Sequence, residues 1–302
     1  MIHGVINVKK ERGFTSHDVV AKLRGITRQK KIGHTGTLDP DATGVLPVCL
    51  GKATKICDLL TDQDKTYQAV LLLGVTTDTL DITGKVLSRH AVDVSETEVR
   101  KAVLSFLGEY EQIPPMYSAL KVNGQKLCDL ARQGKEVERK ARKVVIHDIR
   151  IHKVELPRVT IEVSCSKGTY IRSLCQDIGE HLETGGCMEA LVRTKVGRFK
   201  LEDSHTLGEI EECFAAGELQ KWLVPIDEMF ERDQKAVVCE AAAKLLLNGN
   251  PLPGDQLSLE RQPKDGEEVR VYDQKQNFCA LYRYQKKESR FKLVKMFYDR
   301  EG

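Results

Sequence analysis

Gly33-His34-Thr35-Gly36-Thr37-Leu38-Asp39-Pro40-Asp41-Ala42-Thr43-Gly44 reads as one long ordered loop running into a strand, Val45–Leu50. Residues 33–51 hold four glycines, two prolines and three threonines. Glycine permits backbone angles closed to other residues and lets a ligand come close, while Pro40 pushes Asp39 toward extended geometry. A carboxylate held in such a loop beside a strand is placed to meet a substrate. Three other readings fit parts of the pattern. A phosphate-binding loop fails on spacing, because six residues separate Gly44 from Gly51-Lys52, and Ala53 stands where a hydroxyl is needed. Asp39 and Asp41 as a glycosidase pair would have to flank a bond from positions i and i+2 of one loop. A structural turn, with Asp39 bonding its own backbone, needs no ligand at all.

Working outward from this loop, Gly4–Val8 reads as a strand and Lys10-Glu11-Arg12-Gly13 as a turn. Thr15 and Asp18 have capping-box spacing ahead of Val19, Val20 and Leu23 at helical intervals. On the other side, Lys52–Leu60 reads as an amphipathic helix with Ala53, Ile56, Leu59 and Leu60 on one face. Tyr67–Leu73 is a strand closed by Gly74, and Val99, Val103, Leu104 and Leu107 mark a helix ending at Gly108. Residues 113–143 are basic and polar with weak periodicity, an excursion from the sheet. Strands follow at 144–154 and 158–165, then a helix, Thr169–Leu182, with Ile171, Leu174, Cys175, Ile178 and Leu182 in one stripe. Val192–Phe199 reads as a strand and Leu207–Leu219 as a helix. Beyond about residue 232 a helix, Ala236–Leu247, precedes strand patterns at 268–272, 278–284 and 290–297. The expected architecture is α+β in two domains, 1–231 and 232–302, the second small and mostly β.

Composition narrows the function classes. The 302 residues are 41% hydrophobic and 30% charged, the profile of a folded soluble chain. The longest apolar run, Ala69–Leu73, is too short to span a bilayer. Met1-Ile2-His3-Gly4 has neither a basic nor an apolar leader character, so a cytoplasmic location is expected. The nine cysteines contain no C-x-x-C and read as reduced core residues, and the eight histidines form no H-E-x-x-H, so no metal site is expected. A net charge of +3 says nothing about partners, but its distribution does. Residues 1–31 carry eight Lys/Arg against two acids, and 112–153 carry ten against four. Two such segments brought together would make an anion-binding face, although separate basic blocks are also ordinary solvated surface.

Two further residues stand out before any family is considered. Arg172 falls in the first turn of its helix, against the positive end of the macrodipole, which is unfavourable unless an anion compensates. A solvated side chain is the alternative. Tyr67, opening an apolar strand, could stack on a base or simply cover the core.

The segment Gly33–Gly44, continued to Lys55, closely resembles the G-H-T-G-x-L-D-P-x-A-T-G-x-L-P motif of the TruB family of bacterial tRNA pseudouridine-55 synthases. Lys65-Thr66-Tyr67, running on to Leu73-Gly74 and Thr77-Asp78-Thr79, resembles the family's second motif. Pro114-Pro115-Met116-Tyr117-Ser118-Ala119-Leu120-Lys121 resembles the start of its RNA-gripping thumb. Ser166-Lys167-Gly168-Thr169-Tyr170-Ile171-Arg172-Ser173-Leu174 and Leu191-Val192-Arg193-Thr194 resemble its later active-site segments. The likeness spans nearly the whole chain. It departs at Glu11, where the family has proline after the lysine, and at Cys128, where an aromatic is common.

The resemblance implies a mainly antiparallel mixed-sheet catalytic body with a thumb insertion at 113–143 and a small PUA-like C-terminal domain. It implies that uridine 55 in the T arm of tRNA becomes pseudouridine. The N1–C1′ bond breaks, the uracil turns, and C5 bonds to C1′, with neither metal nor organic cofactor. By the resemblance, Asp39 is the catalytic carboxylate, whether it attacks C1′, attacks the base or assists a glycal-type intermediate. Tyr67 stacks on the flipped base, Arg172 pairs with Asp39, Leu191 packs on the other side of the base, and His34 and Tyr170 bind substrate. Lys10, Arg132, Arg139, Arg142 and Lys143 are candidate phosphate partners. The implied state is a monomer whose C-terminal domain binds near the acceptor end. A competing reading, an RNA-binding or folding-assisting module, makes the Asp39 loop purely structural. A glycosidase acting on free nucleosides would have no use for a basic thumb.

Overall fold

The computed structural model describes residues 1–122 and 124–298. Strand β1 (Gly4–Lys10) leads into helix α1 (Ser16–Thr27), whose start is fixed by reciprocal capping. The Asp18 amide donates to Thr15 Oγ1 at 3.1 Å, and the Thr15 amide donates to Asp18 Oδ2 at 2.8 Å. Strands β2 (Ile32–His34) and β3 (Thr43–Leu50) bracket the glycine-rich loop. A 3-10 turn, Gly51–Ile56, runs into the short helix α2 (Cys57–Thr61). Strand β4 (Lys65–Leu73) and the hairpin β5 (Val75–Thr77) and β6 (Val86–Arg89) follow, then α3 (Glu96–Leu104) and β7 (Gly108–Gln112).

The excursion predicted after residue 112 does leave the sheet. It holds a two-stranded ribbon, β8 (Lys121–Val122) and β9 (Gln125–Lys126), and helix α4 (Leu127–Arg132). The chain returns in β10 (Arg142–Glu155) and β11 (Arg158–Cys165), then forms α5 (Ile171–His181), β12 (Gly186–Val196) and β13 (Phe199–Lys200). Helix α6 (Leu207–Ala215) and β14 (Leu223–Val224) complete this part.

Apart from the β5–β6 hairpin and the β8–β9 ribbon, the strands from this part make one sheet in the order β14-β1-β3-β12-β4-β11-β10-β7, with β2 on β3 and β13 on β12. Every pairing is antiparallel except β12 with β3, so the sheet is mixed and mainly antiparallel. Period-two alternation sorts its faces. Ile6, Val8, Leu46, Val48 and Leu50 pack under α1 and α6, while Val5, Val45 and Cys49 face the other way. Helix α5 lays Ile171, Leu174, Cys175 and Ile178 on β4, β11 and β12 residues such as Ala69, Leu71 and Ile161.

A second, six-stranded sheet is built from β15 (Gln234–Val238), β16 (Leu252–Pro253), β17 (Leu257–Leu259), β18 (Glu268–Tyr272), β19 (Phe278–Gln285) and β20 (Arg290–Met296), with α7 (Ala243–Leu247) beside it. Leu281 and Phe297 join Val5, Val45 and Val196 in one buried cluster, so the two sheets share a core. Asn123 of the thumb and residues 299–302 of the predicted C-terminal domain lie outside the described residues. Among the described residues no helix is long and apolar enough to cross a membrane.

Several expectations need correction. The strand expected at 192–199 runs from Gly186 to Val196 and turns back into β13, and the helix expected at 207–219 ends at Ala215. Residues 52–60 form no single amphipathic helix, and Leu59 is 44% exposed rather than on a buried face. The helix expected at Ala236–Leu247 survives only as a 3-10 turn, Glu240–Ala242, and α7, because Ala236 and Val237 belong to β15 and pair in parallel with Val271 and Tyr272. The helix before Gly108 ends at Leu104, and Gly108 opens β7.

Candidate active site

The loop between β2 and β3 is pinned from several directions, which is what holding a carboxylate in one place requires. The Thr35 amide and hydroxyl donate to Pro47 O at 3.1 and 3.2 Å. The Leu38 amide donates to the buried Ser16 Oγ at 2.9 Å, and the Ala42 amide to Asp39 O at 3.1 Å. From beneath, Lys10 Nζ donates to Glu11 O, Pro40 O and Ala42 O at 3.1, 2.9 and 2.5 Å. Lys10 is fully buried, so the expectation that it contacts phosphate is corrected: its ammonium holds the loop.

Burial pulls the Lys10 ammonium down to about 8 from 10.5, against the attraction of Asp39 and Asp41. Lys10→Met leaves three carbonyls without their donor and should cost roughly 2–4 kcal/mol of stability near neutral pH, read by urea unfolding. Since the folded chain binds less proton than the unfolded one between about pH 8 and 10.5, the Lys10 contribution grows as pH rises through that window. The gap between wild type and Lys10→Met should widen accordingly.

On the open side of the loop, Arg172 Nε and Nη2 meet Asp39 Oδ2 and Oδ1 at 3.0 and 3.1 Å. The Arg172 side chain is 6% exposed and that of Asp39 is 37%, so the pair is anchored inside while the carboxylate keeps an open edge. The remaining Arg172 donors reach Thr79 O at 3.0 Å and Tyr117 O at 2.7 Å, and Asp81 Oδ2 lies 3.8 Å from Nη1. This answers the awkward cation in the first turn of α5: anions from two other segments compensate it. Burial raises the Asp39 pKa above the usual carboxylate value, Arg172 and Lys10 oppose that rise, and Asp81 adds to it.

Tyr67 and Leu191 share a packed cluster with Leu38 and Ala42, the apolar flanks of Asp39. Tyr67 is 8% exposed, and burial lifts its phenol pKa. His34, at the end of β2, accepts from the Gly36 amide through Nδ1 at 3.3 Å and meets His17 edge to face at 5.4 Å. Burial, followed by His17 and Arg193, lowers its pKa and favours the neutral ring. Tyr170 caps α5. Its amide donates to Gln112 Oε1 at 2.7 Å, and Gln112 Nε2 donates back to Tyr170 O at 3.0 Å.

Of the basic residues, Arg142 and Lys143 are exposed at the start of β10, and Arg132 is exposed on α4 with Asp129 at 3.3 Å. Arg139 is half-buried and donates to Pro114 O at 3.2 Å, bracing the thumb on itself rather than standing free for phosphate. Among the described residues no group of three or more His, Cys, Asp or Glu could hold a metal ion.

Asp81, Gln112 and Arg193 were not singled out by sequence. Arg193 is the one with a signal, a charge at an inward-facing parity of a strand between Leu191 and Val196. Its backbone also explains the last glycine of the loop motif. Gly44 has φ +106°, and a Cβ there would lie 2.2 Å from Arg193 O. Gly44→Ala should therefore destabilise the protein by roughly 3 kcal/mol or more, checked by its urea midpoint.

Residues 24–171 match the model of the TruB family pseudouridylate synthase N-terminal domain, and 172–231 match the tRNA pseudouridylate synthase B C-terminal domain. The chain is 55% identical to tRNA pseudouridine synthase B of Lachnoclostridium phytofermentans, over 98% of this chain and 100% of that one. It is 45% identical to the protein of the same name from Alkaliphilus oremlandii, over 99% and 100%. Among solved structures, a chain of an H/ACA RNP bound to a substrate RNA containing 2′-deoxyuridine matches at TM-score 0.74 and 27% identity, covering 99% of this chain and 86% of that one. A chain of a Cbf5-Nop10-Gar1 complex gives TM-score 0.74 at 29% identity, with coverage of 99% and 86%. Family models across most of the chain and full-length relatives above 40% identity leave one conclusion: the chain belongs to the TruB family of pseudouridylate synthases.

Proposed function

We propose that this protein converts uridine 55 in the T arm of tRNA to pseudouridine, with Asp39 as the carboxylate that assists glycosidic cleavage. The observation that carries the reading is the two-point contact of Asp39 with a buried Arg172, on a loop pinned at Thr35, Leu38, Pro40 and Ala42. Arg172 favours the ionised carboxylate and fixes both its oxygens, while the open edge is left for the ribose and base.

The target uridine leaves the stack at a cost of about a few kcal/mol. Tyr67 on one side and Leu191 on the other hold the flipped base, and His34 and Tyr170 line the RNA side. The N1–C1′ bond breaks with help from Asp39, the uracil turns within the site, C5 bonds to C1′, the C5 proton leaves to solvent, and N1 takes up a proton from solvent in exchange. The atoms balance without an oxidant, a metal or an organic cofactor. Arg132, Arg142 and Lys143 contact phosphates, as the exposed ends of the thumb and β10. In this reading 1–231 is the catalytic domain with its thumb at 113–143, and 232–302 is a PUA-like domain near the acceptor end. The enzyme works as a cytoplasmic monomer.

The site assignment is tested on an unmodified tRNA transcript by mapping pseudouridine after incubation. Modification at position 55, absent when cytidine replaces that uridine, is the expected result. Modification elsewhere, or none, would overturn the assignment.

A further inference from the structure

Arg193 is 1% exposed, a charged side chain enclosed in the sheet. Enclosing a guanidinium is expensive, and apolar residues of similar volume often serve stability better. The groups it bonds point to another reason. Arg193 Nε donates to Val45 O at 2.7 Å, and Nη2 donates to Gly36 O at 3.2 Å. These two carbonyls stand at opposite ends of the Asp39 loop. In the antiparallel pairing of β12 with β4, Arg193 sits directly opposite Tyr67, whose phenol opposes the lowering of the guanidinium pKa by burial. In the parallel pairing with β3 it sits opposite Gly44, whose missing Cβ lets the two backbones meet. One residue thus bonds both anchor points of the loop and faces the aromatic residue of the second motif across the ladder.

We propose that Arg193 is a positioning residue for isomerisation, locking the Tyr67 phenol and the two ends of the Asp39 loop into one rigid frame. The inference rests on the isomerase reading above. In this frame the guanidinium donates to the Tyr67 oxygen, since arginine only donates hydrogen bonds. The phenol's own proton is turned away from Arg193, and the ring keeps one orientation while the base turns beside it. A site held within a fraction of an ångström gains rate without gaining affinity, so loss of the lock should appear in the chemical step.

The test compares wild type, Arg193→Met and Arg193→Lys on a T-arm stem-loop tritiated at uridine C5, together with RNA affinity. Isotope-labelled tyrosine rings, with Tyr67 assigned through Tyr67→Phe, report on the phenol itself. The expected result is a single-turnover rate reduced about a hundredfold with affinity within about threefold. The Tyr67 ring-carbon resonance should shift while the other tyrosines stay in place. Rates within about threefold of wild type overturn the proposal. So does a rate loss with the Tyr67 resonance unmoved, or a loss confined to affinity. If Arg193→Met does not fold, Arg193→Lys decides by the same readouts, and failure of both to fold assigns Arg193 to stability alone and overturns the proposal. Wild type releasing no tritium would remove the isomerase reading beneath it, whereas an active wild type with unaffected variants removes only the role of Arg193.

Discussion

Asp39→Asn should lower pseudouridine formation by about four orders of magnitude or more while leaving RNA binding in place. The two side chains have the same shape, and the asparagine carbonyl still accepts from Arg172, so the loop keeps its bonds through Thr35, Leu38, Pro40 and Ala42. What disappears is the negative charge and the nucleophilic or basic oxygen. The exposed bases of the thumb and β10, the proposed phosphate contacts, are untouched. Nucleoside analysis of digested T-arm RNA, alongside a binding isotherm, checks both halves of the expectation.

Arg172→Met should be nearly as damaging, and for two separable reasons. Asp39 and Asp81 then face each other without their shared cation, and truncating one partner of a buried charge cluster costs about 3 kcal/mol or more of stability. Activity should fall roughly a thousandfold or more, because the carboxylate loses both its orientation and its charge stabilisation. The pH profile distinguishes the two. In the proposed reaction Asp39 works as the anion, and burial already shifts it above the usual carboxylate value, with Arg172 opposing the shift. Removing Arg172 raises the pKa further, so the acid limb of the residual single-turnover rate should move to higher pH than in wild type. An unmoved limb would mean that Arg172 acts on something other than Asp39.

In the sequence, the glycine- and proline-rich loop marked Asp39 as a candidate beside the alternative of a plain structural turn, and its likeness to the TruB motif decided between them. Arg172 stood out as a first-turn cation lacking a local anion, with a solvated side chain as the alternative. Local chemistry also marked the helix caps: Thr15 with Asp18 folds as its spacing predicts. Contacts made across the sheet were less legible. Lys10 looked like any basic residue near a turn, and only the path of β1 beneath Pro40 and Ala42 shows that its ammonium is spent on carbonyls. Asp81 reaches Arg172 from a loop that no spacing rule links to α5. The segment Ala236–Val238 has helical neighbours in sequence, yet it found partners in β18 on one side and β17 on the other and became a strand. Tertiary pairing decided each of these, and pairing partners are distant in the chain.

The most direct test of the central claim uses a T-arm stem-loop carrying tritium at C5 of its uridines, with wild type and Asp39→Asn side by side. Forming the C5–C1′ bond must expel the C5 hydrogen. Tritium release by wild type alone, with both proteins binding the RNA, is the predicted result. Release by both proteins would contradict the role given to Asp39, and tight salt-sensitive binding with no release by either would leave an RNA-binding module in place of an isomerase.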